Sequence, residues 1–360
     1  MNALARSLVI GYISHIRKEA PMTSIVAGHR YPVKELVESI AEASAGNGEV
    51  EVIPSDLEYS MSPEGALSVR VQAGRDYPAS ETAEQLFCSF SGIPYSYWRK
   101  CSPALRLTNL RSRMSTMYDE ARVLVNDDLQ IVRGIVPTNL SFVPNFQAVD
   151  ALDDGDIELS GVVPLRSYAD RTDIVTSQNL SFRALLGEVP SDLEPGDNFF
   201  GLNLSVSELG GKFSVAPILY RLSCSNGLGL ASHGSDEAFH VTYRKLDAVL
   251  AQGLVKSVAT AWAGKSHVFS NLIDSMDQDK MTLADVRALV DKIAVPKKHK
   301  KIVLSSVIES GIDSDELEIS KWGLLNIMTS AAQDFADSQH EKIEAAVAAT
   351  FGLQDLFSRA

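Results

Sequence analysis

The sequence of 360 residues predicts an α+β fold, with an antiparallel β-rich middle built around a central β-hairpin, flanking helices and a helical C-terminal third. Two observations predict this class. Apolar residues alternate with polar ones through Phe199–Leu222, as expected for paired strands. From about Leu246 onward, apolar residues recur with the period of a helix. We expect an N-terminal α+β segment over 1–79, a β-rich core over 80–245 with the hairpin at 199–222, and a helical region over 246–360.

The N-terminal segment begins with a short apolar run that lacks the length of a secretory signal, so a first helix or strand is expected there. Pro32 is expected to begin a helix and Gly46–Gly48 to end it, because proline favours the first helical turn and glycine the end. The segments 49–61 and 66–73 then predict a pair of strands.

In the middle region, Ser80 is expected to cap a helix that ends at Gly92, and a second helix follows at 104–114. Strands are predicted at 121–127 and 129–143, then a short helix at 146–152 and further strand over 157–178. The hairpin turn is placed at Glu208–Gly211. Toward the C-terminus, Thr282–Asp285 resembles a capping box, and helices are expected at Ser320–Ala336 and Gln339–Phe351.

Composition limits the classes of function. The net charge of −13 argues against a protein that binds nucleic acid over its whole surface, so any such site must be local. Three cysteines without a close pair fit a reducing cytoplasm better than a disulfide framework. No stretch has the roughly 18 apolar residues of a membrane span, so we expect no membrane association.

Enzyme motifs are missing from the sequence. There is no phosphate-binding P-loop, no GxSxG nucleophile elbow and no HExxH zinc helix, and the histidines show no ligand spacing except a loose pair, His233 and His240. We therefore expect neither a catalytic residue nor a metal or cofactor. A thiol at Cys224 activated by Arg221 is the minor enzymatic alternative, and a small buried residue is the simpler interpretation of Cys224.

A stretch of 34 residues between Glu84 and Asp119 contains five cations and no acid. Aromatic rings supply stacking platforms and cations follow phosphates, so this stretch predicts a site for single-stranded nucleic acid. The alternative is that the aromatics belong to the core and the cations to a solvated helix face. The candidate contacts are Tyr97, Trp98, Arg99, Lys100, Arg106, Arg111 and Arg113.

A second basic cluster follows Pro296, where lysines at the start of a helix oppose its dipole and need counter-charge. A phosphate-contacting patch and a solvated face both remain open. The candidates here are Lys297, Lys298, Lys300 and Lys301, and Arg133 and Arg221 are added as further cationic contacts.

Four stretches resemble the phage- and plasmid-encoded proteins grouped as domain of unknown function 932. They are AEQLFCSFSGIPYSYWRKCSPALRLTNL, the strand pair ARVLVNDDLQIVRGIVPTNLSFVPN, the Arg221–Gly227 step and the helix KWGLLNIMT. The Arg-x-x-Cys-x-Asn-Gly step is the most specific, and the loop Pro137–Pro144 departs from the family pattern. The motif residues carried over are Cys224, Asn226, Gly227, Trp322 and Asn326.

The resemblance implies a mobile-element origin and a cytoplasmic location in a bacterial host. Together with the basic stretches, it leads us to expect a non-enzymatic, homo-oligomeric protein that binds or anneals single-stranded DNA in recombination or replication. The alternative is a protein-interaction module that binds a host or phage replication protein.

Overall fold

In a computed structural model of the chain, the described residues are 24–72, 75–140, 144–153, 158–177, 179–189, 198–208, 212–221, 226–229, 239–242, 248–263, 266–311, 318–335 and 337–351. The fold is α+β, as predicted, with antiparallel sheets through the middle and helices over the C-terminal third.

The elements before residue 140 form two three-stranded sheets flanked by helices, with strand orders β2-β3-β4 and β1-β5-β6. They are α1 (Val33–Ala43), β1 (Asn47–Val52), a 3₁₀ turn (Pro54–Asp56), β2 (Glu58–Met61), β3 (Leu67–Gln72), β4 (Arg75–Pro78), α2 (Glu81–Ser91), α3 (Tyr95–Trp98), α4 (Pro103–Met114), β5 (Ala121–Asn126) and β6 (Ile131–Pro137).

Local sequence signals decide several of these boundaries. The Ser80 hydroxyl accepts a hydrogen bond from the Ala83 N–H at 3.1 Å, which confirms the predicted cap of α2. Gly92 ends α2 in the left-handed region at φ 71°, as predicted. The expected pairing of 49–61 with 66–73 holds for β2 and β3, whereas β1 pairs with β5 instead.

The central sheet has the order β11-β10-β9-β8-β7, and β12 also pairs with β10. Its strands and the helices between them are α5 (Asn145–Asp150), β7 (Gly161–Pro164), α6 (Arg171–Thr176), β8 (Leu180–Glu188), β9 (Asn198–Ser207), β10 (Lys212–Arg221), β11 (Asn226–Gly229) and β12 (Phe239–Thr242). The predicted hairpin is confirmed, since β9 and β10 pair from Ser207 with Lys212 to Asn198 with Arg221. Most of its predicted turn, residues 209–211, lies outside the described residues.

The prediction of continuous strand over 157–178 is wrong in part, because Arg171–Thr176 is helical. The Asp170 carboxylate accepts from the Asp173 N–H at 3.1 Å and so caps this short helix. That local hydrogen bond favours a helical turn over a strand at this point.

The C-terminal third is helical, with one small two-stranded sheet that the sequence did not predict. Its elements are α7 (Ala248–Ala263), α8 (Ser266–Gln278), β13 (Lys280–Thr282), α9 (Leu283–Lys292), α10 (Lys297–Glu309), β14 (Glu318–Ser320), α11 (Lys321–Ser330), a 3₁₀ turn (Ala331–Asp334) and α12 (Asp337–Thr350). The predicted capping box is present, with reciprocal bonds between Thr282 and Asp285.

Two large hydrophobic clusters hold the fold together. The first lies among β1–β6 and α2–α4 and includes Val69, Phe87 and Leu110. The second joins the central sheet to the C-terminal helices, and it also contains Leu36 and Ile40 of α1, which precede the first cluster in the chain. The predicted region boundaries after residues 79 and 245 stay predictions.

A buried ion pair connects the two clusters. The Arg133 side chain on β6 is 1% exposed, and its Nη1 lies 2.9 Å from Oε1 of Glu208 at the end of β9. Arg133 Nε also donates to the Val175 carbonyl at 3.0 Å, and Oε2 of Glu208 accepts from the Asn145 N–H at 3.2 Å. Each charged group therefore has a partner from the other side of the contact between the clusters.

Candidate nucleic-acid interface

The acid-free stretch folds into the end of α2, the single turn of α3 and all of α4. Pro94 and Pro103 stand at the starts of α3 and α4, where a missing N–H costs no helical hydrogen bond. Between these helices, residues 99–102 form a tight connection. Two of the five cations, Arg99 and Lys100, therefore lie in this connection, and the other three lie on α4.

Trp98 is a core residue. Its side chain is 1% exposed, and its indole N–H donates to Oε2 of Glu84 at 3.1 Å. Stacking on a nucleobase requires an accessible ring face, so Trp98 supports the site from within rather than contacting a ligand.

Arg106 holds the connection between α3 and α4. Its Nε donates to the Cys101 carbonyl at 3.1 Å and its Nη2 to the Arg99 carbonyl at 3.0 Å. The guanidinium also lies 5.8 Å from the centroid of the Trp98 ring. These contacts fix the backbone that carries Arg99 and Lys100.

Tyr97 is an exposed aromatic ring of this region, with 47% of its surface accessible. Its hydroxyl accepts a hydrogen bond from Nδ2 of Asn109 at 3.3 Å. Arg99 and Lys100 follow it and are exposed. Arg113 is exposed one helical turn beyond Asn109, so it lies on the same side of α4. We name Tyr97, Arg99, Lys100 and Arg113 the α3–α4 surface.

Arg111 lies on another side of α4. It is exposed, and its Nη2 donates to the Tyr59 carbonyl of β2 at 2.5 Å. This contact directs the guanidinium toward β2, away from Tyr97. The sequence did not identify Asn109 as the residue that orients Tyr97, because a helical amide gives no signal of its own.

The remaining two arginine candidates lie in the sheets. Arg133 is buried in the ion pair with Glu208, and this burial leaves it no surface for a phosphate. Arg221 is half-buried as the last residue of β10, in register with Asn198 on one side and Asn226 on the other. Both arginines lie on strands, whereas the α3–α4 surface belongs to α3, α4 and the residues between them.

The lysine cluster forms the first turns of α10. Lys297, Lys298 and Lys301 are exposed, whereas Lys300 is half-buried and its Nζ donates to the Asp291 carbonyl at 2.7 Å. That carbonyl belongs to the last turn of α9 and supplies part of the expected counter-charge. The Lys298 Nζ lies 5.3 Å from the ring centroid of Phe335.

Within the lysine cluster, His299 is fully buried. Its Nε2 lies 2.7 Å from the Met328 carbonyl, which ties α10 to α11. Burial lowers the pKa of this imidazole, and the bond to Met328 opposes that shift. His299 is therefore a packing residue of the helical third.

The motif residues divide between strand, helix and undescribed chain. Cys224 lies outside the described residues. Asn226 and Gly227 begin β11 and pair with Arg221 and Tyr220, so they are part of a strand. Trp322 is buried and Asn326 half-buried on α11, a helix that begins with the Ser320 hydroxyl accepting from the Gly323 N–H at 3.0 Å.

Among the described residues, no group of three or more His, Cys, Asp or Glu side chains is placed to hold a metal ion. No helix in the same part of the chain has the length and apolar character to cross a membrane.

Comparison with known proteins finds no matching family model, no matching curated protein and no matching solved structure. The resemblance to the domain of unknown function 932 proteins stays a prediction.

Proposed function

We propose that the protein binds single-stranded DNA without acting on it chemically, and that the α3–α4 surface is the contact. The observation that carries the proposal is the exposed ring of Tyr97, oriented by Asn109 and followed by the exposed cations Arg99 and Lys100. No acid lies within this stretch to compete with phosphates for the cations.

In the proposed mechanism, a base stacks on Tyr97 while Arg99, Lys100 and Arg113 neutralise neighbouring phosphates. Stacking on one aromatic ring contributes about 1–3 kcal/mol and tolerates any base. Each phosphate neutralised on a single strand changes the slope of log K against log salt concentration by about −0.7, so three contacts account for about −2. The family resemblance supports a role in phage or plasmid recombination or replication.

A protein partner is the second candidate, and the exposed Leu105 favours it. Leu105 is 43% exposed and lies one helical turn before Asn109, the residue that donates to the Tyr97 hydroxyl. An aromatic ring, an apolar side chain and arginines together are typical of protein interfaces. The net charge of −13 also suits a protein better than a polyanion.

Fluorescence anisotropy of a labelled single-stranded oligonucleotide, titrated at two salt concentrations, tests the proposal. The variant carries Arg99→Ala, Lys100→Ala and Arg113→Ala, and the control loses the same charges as Arg166→Ala, Arg287→Ala and Lys292→Ala. All six residues are exposed.

We expect salt-sensitive binding by the wild type and a slope reduced by about 2 in the first variant only. Absence of binding at low salt, or equal losses in both variants, contradicts the proposal. Recovery of a stoichiometric host protein by pull-down, lost on Leu105→Ala, would then favour the second candidate.

A further inference from the structure

A cleft of about 420 Å³ opens on the side of α4 that carries Arg111 and Ser115. It lies between the 3₁₀ turn Pro54–Asp56, strand β2 and the C-terminal end of α4. Its size falls in the lower part of the roughly 300–1,000 Å³ found for small-molecule sites, which suits one compact group. The lining residues that matter here are Pro54, Leu57, Glu58, Tyr59, Arg70, Asp76, Arg111 and Ser115.

The charges around this cleft balance. Arg70 forms ion pairs with Glu58 and with Asp76, and it reaches both Asp76 oxygens at 3.0 and 3.2 Å. With Arg111 added, the cleft holds two cations and two anions. A phosphate would meet two carboxylates there, so the charge balance favours a neutral ligand with both donors and acceptors.

Part of the cleft lining is apolar. Pro54 and Tyr59 are buried, Leu57 is half-buried, and the Tyr59 hydroxyl donates to the Pro54 carbonyl at 3.1 Å. Leu57 therefore supplies accessible apolar surface, and an apolar side chain beside charged groups suits the face and the edge of a nucleobase.

Guanine matches the rim groups most completely among the bases. Its O6 and N7 accept from an arginine, and the guanidinium of Arg111 makes a single hydrogen bond within the described residues, to the Tyr59 carbonyl. Its ring and amino N–H groups are donors, and the Glu58 and Asp76 carboxylates keep lone pairs beyond those that face Arg70.

The cleft and the α3–α4 surface share helix α4. The exposed residues of α4 run around the helix from Arg113 through Leu105, Ser112 and Thr108 to Arg111. A strand stacked on Tyr97 can therefore cross the exposed face of α4 and arrive at the cleft without meeting an acidic side chain of that helix.

We propose that this cleft holds a guanine base, so that the protein captures guanine-containing single strands in preference to others. The inference rests on the proposed function for its class of ligand. It adds a preference for one base to a surface that otherwise binds all bases alike.

Titration with free nucleosides tests the cleft apart from strand binding. The probes are 2′-deoxyguanosine, 2′-deoxyadenosine and thymidine at millimolar concentration, observed by saturation-transfer NMR on the full chain. Ser115→Trp fills the cleft, and Ser310→Trp is its control. Each serine is the exposed residue that ends a helix, and each hydroxyl donates to the carbonyl three residues earlier, at 3.1 and 2.7 Å.

We expect 2′-deoxyguanosine to bind at least about tenfold more tightly than thymidine, as one good bidentate arginine contact provides. Ser115→Trp should abolish this binding and Ser310→Trp should leave it intact. Glu58→Gln, which keeps the shape of the side chain, should weaken the binding of 2′-deoxyguanosine without changing that of thymidine.

Equal binding of the three nucleosides, no binding of 2′-deoxyguanosine, or equal losses in both tryptophan variants would overturn the inference. An oligonucleotide of thymidine alone separates the two proposals. If it binds with salt dependence while 2′-deoxyguanosine does not, the proposed function stands and the guanine site fails. If 2′-deoxyguanosine binds in the cleft and no oligonucleotide binds, the guanine site stands and strand binding fails.

Discussion

Removing Glu208 should destabilise the protein strongly, because it leaves the Arg133 guanidinium charged and buried between the two hydrophobic clusters. The side chains are 1% and 3% exposed, so water cannot replace the lost carboxylate. Two unit charges about 4 Å apart attract by about 4 kcal/mol at an effective dielectric constant of 20. Breaking a buried pair from one side costs about 3–5 kcal/mol in measured cases. We therefore expect Glu208→Ala to lower the free energy of unfolding by about 3–5 kcal/mol.

Urea denaturation followed by circular dichroism measures this change, with linear extrapolation to water. The double variant Arg133→Met with Glu208→Leu is the comparison, because it removes both charges and keeps apolar volume. It should be more stable than Glu208→Ala, since no charge is left without a partner. A loss below about 1 kcal/mol in Glu208→Ala, or a double variant no more stable than the single one, would refute the reasoning.

Two further predictions concern a titrating group and a close backbone contact. Because burial lowers the pKa of His299, the unfolded chain takes up the proton first, so stability present above pH 6.5 should fall as the pH drops toward the folded pKa. His299→Gln should flatten that part of the profile in urea unfolding between pH 7.5 and 5.5, and an unchanged slope would contradict the assignment. Gly201→Ala should cost at least about 3 kcal/mol, because its Cβ would lie 2.1 Å from the Ala184 carbonyl oxygen of β8. Gly253→Ala, which has open space in α7, should instead gain up to about 1 kcal/mol, and similar urea midpoints for the two variants would refute the steric argument.

Local patterns predicted the elements whose causes are local. Alternation gave the hairpin of β9 and β10, and capping chemistry gave the start of α2 and of α9. The pairing of β1 with β5 could not be predicted, because an alternating pattern does not identify its partner strand across the 68 residues from 53 to 120. The turn at Asp170 was missed because one side-chain hydrogen bond outweighed a β-like pattern.

The candidate site was predictable only as a stretch of sequence. The absence of acids identified the region from Tyr97 to Arg113. Composition does not reveal which of its side chains are buried and which are exposed. Trp98 and Tyr97 are neighbours, yet one is 1% and the other 47% exposed. The sequence likewise suggested that Arg133 contacts a ligand, whereas in the fold Arg133 forms an ion pair with Glu208. The cleft beside β2 is lined by residues from three separate segments, so no local sequence motif could predict it.

In the chain, the residues of the first hydrophobic cluster lie between α1 and the rest of the second cluster. This order affects how the chain can fold. Helix α1 must find α5 about a hundred residues later, and closing so long a loop is entropically costly. Formation of the sheet β1-β5-β6 brings Asn47 next to Asn126, where the two side chains share a hydrogen bond of 2.8 Å. The free loop then shortens to about twenty residues, which lowers the closure cost by roughly 1.4 kcal/mol. Early folding of the first cluster would therefore hold α1 close to the sheet on which it packs.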